Sequence, residues 1–97
     1  MIAILSYNAG NTRSVQNALK RLGQDPVITD DPDRLYTADK IIFPGVGEAS
    51  TAMDYLKQHD LIEVLKSYNK PLLGICLGLQ LMCTYSDEND TACLGIF

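Results

Sequence analysis

Cysteine, glycine and glutamine recur at close spacing in Lys70-Pro71-Leu72-Leu73-Gly74-Ile75-Cys76-Leu77-Gly78-Leu79-Gln80-Leu81-Met82. The apolar run before Gly74 reads as a buried strand, and the residues after Cys76 read as an amphipathic helix. Between them, Gly-X-Cys-X-Gly has the form of a nucleophile elbow, in which a sharp bend holds one side chain clear of the backbone and small flanking residues let strand and helix pass closely. The chemistry such a bend serves is acyl transfer. A thiol at Cys76 would lie at the amino end of the helix, where unpaired N–H groups and the helix dipole favour an anion and lower a thiol pKa from its reference of about 8.5. The Leu77 N–H, first in that helix, is placed to donate to an oxyanion. The competing reading makes Cys76 a small buried hydrophobe beside two packing glycines.

Pro44-Gly45-Val46-Gly47 is the second candidate. Glycines tolerate positive φ and expose N–H groups, so a loop of this kind could complete an oxyanion hole; the alternative is a tight turn with no ligand. Gly10-Asn11-Thr12 lacks the dinucleotide and Walker patterns, and a plain helix N-cap at Asn11 or Thr12 accounts for it. His59 is the only histidine and so the only in-chain imidazole base, although Gln58-His59-Asp60 reads as a surface turn. Glu48, just after the glycine turn, is either a first-turn helix acid or a residue lining the site.

These motifs need a scaffold, and the alternation of short apolar runs with helix-period segments supplies one: an α/β fold, an open parallel sheet with helices on both faces. Strand one is Ile2 to Ser6, and the following helix carries Val15, Ala18, Leu19 and Leu22 on one face before Gly23 caps it. Strand two is Pro26 to Thr29, followed by an acidic turn and a short helical stretch through Arg34 to Tyr36. Strand three is Lys40 to Phe43, with helices expected over Ala49 to Lys57 and Leu61 to Tyr68. Strand four carries the cysteine. The helix after it is expected to reach Tyr85, and the polar run from Ser86 to Thr91 to form a loop.

At 97 residues the chain is one domain at most, with the composition of an ordinary globular protein. A net charge of −4 and no basic cluster longer than Lys20-Arg21 argue against nucleic acid or an anionic membrane as partner. The amino terminus lacks a signal peptide's basic flank, which makes cytoplasmic location the default. Cys76 and Cys83 lie roughly 10 Å apart along one expected helix, too far for a disulfide, and no cysteine pair has zinc-ligand spacing. Reduced thiols and no metal or cofactor are expected. The apolar ending Cys93-Leu94-Gly95-Ile96-Phe97 reads as the start of another element, so the sequence is expected to be cut short or covered there. A sheet lacking later strands would leave an unpaired edge, with self-association as a consequence.

The segment from Gly74 to Leu81 resembles the nucleophile motif of the class I, triad-type glutamine amidotransferases. Within that family, Pro44-Gly45-Val46-Gly47-Glu48-Ala49 and Gly10-Asn11-Thr12-Arg13-Ser14-Val15 resemble the glutaminase subunits of imidazole glycerol phosphate synthase, of histidine biosynthesis. The resemblance runs from Met1 to Phe97 and implies a flavodoxin-like fold, of which residues 1–97 are the amino-terminal half. It implies that Cys76 attacks the side-chain amide of L-glutamine, that Leu77 and the Gly45-Val46-Gly47 loop form the oxyanion hole, and that Gly47 and Gln80 contact glutamine. It further implies that Asn11 faces a cyclase partner, a barrel subunit that receives the ammonia. The family's histidine and glutamate lie further along a domain about twice this length, so the chain alone is expected to be inactive. Two other readings stand beside this one: a non-catalytic flavodoxin-like interaction module with an inert thiol, and a cysteine hydrolase of related architecture drawing its base from elsewhere, such as His59.

Overall fold

The computed structural model describes residues 1–7, 12–86 and 91–96. Its centre is a four-stranded sheet in the order β2-β1-β3-β4, made by β1 (Ile2–Leu5), β2 (Val27–Thr29), β3 (Lys40–Phe43) and β4 (Leu72–Gly74), with every pairing parallel. Registers such as Ile4↔Ile42 and Phe43↔Gly74 bring the carboxyl ends of β3 and β4 level. That level rim is where the two glycine turns meet.

Parallel neighbours require crossovers, and their right-handedness decides which face each helix covers. The step from β1 out to β2 uses α1 (Thr12–Arg21), and Gly23 at φ 82 ends that helix with its N–H on the Lys20 carbonyl. The steps back across β1 and onward use α2 (Pro32–Thr37), α3 (Ala49–Gln58) and α4 (Ile62–Ser67), which therefore fall on the opposite face. Asp31 caps α2 by accepting the Asp33 N–H at 3.0 Å, and Pro32 occupies the first turn where its missing donor costs nothing.

The main core lies on that second face. Ala3, Leu5, Ile41 and Phe43 point into it and meet Leu35, Leu56, Leu65 and Leu81, all buried. Among the described residues α1 is the one helix on the other face, and none of its residues is buried. Val15, Ala18 and Leu19 are half-buried and Leu22 is 75% exposed, so the apolar stripe on α1 only partly covers the sheet. Beyond it an open apolar hollow of about 410 Å³ runs along Ile2, Ile42, Pro71 and Leu73, the last 58% exposed. β4 is an edge strand.

The last helix, α5 (Leu77–Met82), is shorter than its spacing suggested. Tyr85 lies outside it, in β5 (Tyr85–Ser86), which pairs antiparallel with β6 (Thr91–Ala92), so Ser86 and Thr91 belong to a hairpin rather than to a loop. The cause is a tertiary competition for the helix's final carbonyls. Leu81, Met82 and Cys83 accept at 2.8–2.9 Å from the N–H groups of Leu94, Ile96 and Gly95, and Cys83 turns to an extended conformation. The returning chain satisfies groups that a further turn would otherwise have used.

Candidate active site at the β3 and β4 rim

Cys76 sits between β4 and α5 with φ 52 and ψ −117, and it is exposed. A left-handed backbone at a residue other than glycine costs of order 1–3 kcal/mol and persists only where its surroundings over-determine it. Here they do. A Cβ built at Gly78 would lie 1.7 Å from the Phe43 carbonyl oxygen, and one at Gly74 would lie 2.8 Å from the Leu79 Cα. The two glycines of the motif are thus demanded by close approach of α5 to β3 and of β4 to α5. Cys76 is not packed in the core.

The Pro44-Gly45-Val46-Gly47 loop stands directly beside this bend. Ile75 donates its N–H to the Phe43 carbonyl at 3.0 Å, and Leu77 donates its N–H to the Gly45 carbonyl at 3.0 Å. Pro44 and Gly45 are buried, whereas Val46 is 54% exposed and Gly47 is open to solvent. Gly45 and Gly47 adopt φ 150 and 116, conformations that a side chain disfavours. In this arrangement the Leu77 N–H, expected to be a free oxyanion donor, is occupied by the Gly45 carbonyl.

Gln80 begins the next turn of α5, donating its N–H to the Cys76 carbonyl at 3.1 Å, and its side chain is exposed on the same rim. Glu48 is the N-cap residue of α3, outside its first turn, and its carboxylate accepts from the Thr51 hydroxyl at 3.5 Å. Asn11 lies outside the described residues. His59 does not join the site. It follows the carboxyl end of α3, whose ten residues carry it about 15 Å from the end nearest Cys76, and its ring stacks on Tyr55 at 3.8 Å. The hydrolase reading based on His59 falls with that placement.

Tyr7 is a residue that spacing did not single out. It is 2% exposed, packs edge-on against Phe43 with ring centroids 5.1 Å apart, and donates its hydroxyl to the Pro44 carbonyl. Burial pushes its phenol well above the ordinary tyrosine range, so it remains a proton donor. The available signal was a hydroxyl-bearing aromatic at the end of a buried strand, a position that obliges the hydroxyl to find an acceptor.

Among the described residues, no group of three or more His, Cys, Asp or Glu side chains could hold a metal ion, and no helix is long and apolar enough to cross a membrane. The three cysteines are free thiols. Burial, and then the neighbouring Cys83, push the Cys93 thiol up and away from reactivity. The arrangement at the rim can therefore offer one strained, solvent-facing thiol, a helix start and a glycine loop, which are the parts needed to attack a carbonyl carbon and hold the oxygen.

Residues 4–89 match the family model described as glutamine amidotransferase class-I. Among curated proteins, the imidazole glycerol phosphate synthase subunit HisH of Bacteroides fragilis (strain YCH46) is 56% identical over 96 residues, covering 99% of this chain and 49% of that protein. The subunit of the same name from Maridesulfovibrio salexigens is 52% identical over 99 residues, covering 99% and 47%. HisH 2 of Legionella pneumophila (strain Paris) is 46% identical over 96 residues, covering 99% and 48%. The chain spans about half the length of the curated relatives it matches.

Proposed function

Since this chain belongs to the class-I glutamine amidotransferases, we propose that it carries the nucleophile half of a glutaminase, the one serving imidazole glycerol phosphate synthase in histidine biosynthesis. The observation that supports it most directly is the hydrogen-bonded junction of the Cys76 bend with the Gly45-Val46-Gly47 loop. The Cys76 sulfur attacks the side-chain amide carbon of L-glutamine. The carbonyl oxygen becomes an oxyanion, the C–N bond breaks as nitrogen takes a proton, and ammonia leaves behind a glutamyl thioester. Water then releases glutamate and restores the thiol.

The geometry sets one requirement for that sequence. Leu77 can donate to the oxyanion only after the Gly45 carbonyl has left its N–H. Turning the Gly45–Val46 peptide plane removes that carbonyl and points the Val46 N–H to the same side, so a single rotation provides both donors. The turn runs about ψ of Gly45 and φ of Val46, and Gly45, at positive φ and without a side chain, borders the peptide that turns. Gln80 and Gly47, exposed on the rim, are the groups assigned to glutamine, with Asn11 assigned to the partner. Base and orienting carboxylate come from the half of the domain that the relatives possess beyond the matched region. The reading extends to a cytoplasmic heterodimer in which a cyclase barrel uses the ammonia in a lyase reaction. It includes no nucleic acid or membrane partner, and it includes self-association of residues 1–97 through the bare β4 edge.

The test uses the 97-residue chain itself. Loss of a triad base commonly removes several powers of ten in rate, so ammonia release from glutamine is expected at background, with or without a cyclase subunit. A chloroketone analogue of glutamine is expected to alkylate Cys76 and to be slowed by glutamine. Labelling indifferent to glutamine would refute the assignment.

A further inference from the structure

Three consecutive carbonyls at the root of the glycine loop are each held by a different donor. Phe43 accepts from the Ile75 N–H and Gly45 from the Leu77 N–H, both main-chain groups of the cysteine bend. The middle one, Pro44, accepts from the Tyr7 hydroxyl, 37 residues away and two residues past the end of β1. Two of the three contacts therefore tie the loop to the bend, and one ties it to the centre of the sheet.

When the Gly45 carbonyl turns away from Leu77, the loop loses one of its two ties to the bend. Pro44 precedes Gly45, so its carbonyl belongs to the peptide just before the one that must turn. We propose that Tyr7 is a positioning residue whose hydroxyl pins the Pro44 carbonyl, so that the Gly45–Val46 peptide rotates about a fixed root and the Val46 N–H arrives beside Cys76. The inference rests on the glutaminase reading of the site. Proline contributes as well, since its ring fixes φ and confines the rotation to the residues after it. Phe43 packs edge-on against the Tyr7 ring, a contact that the hydroxyl's bond to Pro44 does not depend on. The phenol, kept protonated by burial, holds its bond throughout the neutral range.

Two thiol reagents separate this role from a structural one. A chloroketone analogue of glutamine reacts through addition of sulfur to its carbonyl carbon, which forms a thiohemiketal oxyanion; sulfur then migrates to the adjacent carbon, its bond to the carbonyl carbon breaking as the carbonyl re-forms and chloride departs with the C–Cl bonding pair. Iodoacetamide reacts by direct displacement of iodide and forms no oxyanion. Rates at Cys76, read by peptide mapping so that Cys83 and Cys93 do not interfere, give a ratio that reports the oxyanion loop alone.

Tyr7→Phe keeps the ring and removes the hydroxyl. It is expected to lower the chloroketone rate about tenfold, as a loop displaced by a fraction of an ångström would, while the iodoacetamide rate stays within about twofold. Phe43→Leu weakens the ring contact but leaves the hydroxyl, and it should change the ratio by less than about threefold. An unchanged ratio in Tyr7→Phe would overturn the proposal, and so would an equal fall in Phe43→Leu. A Tyr7→Phe chain that does not fold by circular dichroism would overturn it too, because a group acting only on the loop cannot hold the domain together. If the parent chain shows no glutamine protection, the glutaminase reading fails and this inference fails with it; if protection is present and the ratio is unmoved, only the role of Tyr7 is refuted.

Discussion

Gly78 and Gly47 lie on the same rim and are required for opposite reasons. At Gly78 there is no space: the Phe43 carbonyl occupies the place of a side chain. At Gly47 there is nothing within 4 Å, but the backbone has φ 116, which side chains rarely adopt. The first glycine lets α5 lie against β3 by contact; the second holds the opposing loop in a backbone conformation that a side chain disfavours, with open space around it. The rim thus holds both kinds of glycine, one for proximity and one for conformation.

The largest test of that contrast is Gly78→Ala. With backbone as the obstacle and no flexible side chain to give way, the change should cost roughly 3 kcal/mol or more, enough to unfold a chain of this size in a urea titration. If Gly78→Ala melts like the parent, the close approach of α5 to β3 is not what the glycine serves. Gly47→Ala should instead leave the fold in place, losing about 1–3 kcal/mol through strain alone and slowing chloroketone labelling of Cys76. Equal destabilisation by the two alanines would erase the distinction.

Cys76→Gly sharpens the comparison from the other side. Removing the side chain at φ 52 relieves strain, so the variant should be about 1 kcal/mol more stable than the parent in the same titration, though it has lost its nucleophile. A less stable variant would mean that the thiol is held by packing, contrary to its exposure. The smallest effect is expected at Val46→Ala, where the side chain is 54% exposed and only the backbone N–H enters the proposed chemistry. Stability should move by less than about 0.5 kcal/mol, and the ratio of chloroketone to iodoacetamide rates should be unchanged.

The rim was readable from the chain because its signals are local. Gly74, Cys76 and Gly78 stand two apart, and short β-runs end at each glycine turn, so both corners and the parallel sheet followed from neighbouring residues. The contact between Tyr7 and Pro44 joins positions 37 apart and repeats with no period, so no pattern of apolar spacing could disclose it. The early end of α5 escaped for the same reason, since Leu94, Gly95 and Ile96 return from a distance to occupy its last carbonyls. The stripe on α1 was legible as a stripe. Its half-burial was not, because burial depends on what lies across the sheet face, and α1 alone does not cover that face.

The bare edge of β4 bears on assembly of the site as well as of the sheet. A strand laid parallel along that edge, about 4.8 Å away, would finish level with Cys76, just as β3 finishes level with β4 on the other side. A parallel strand that continued the register of β3 and β4 would bring its own carboxyl end beside the sulfur. Pairing at that edge and flanking the exposed thiol would then be one event.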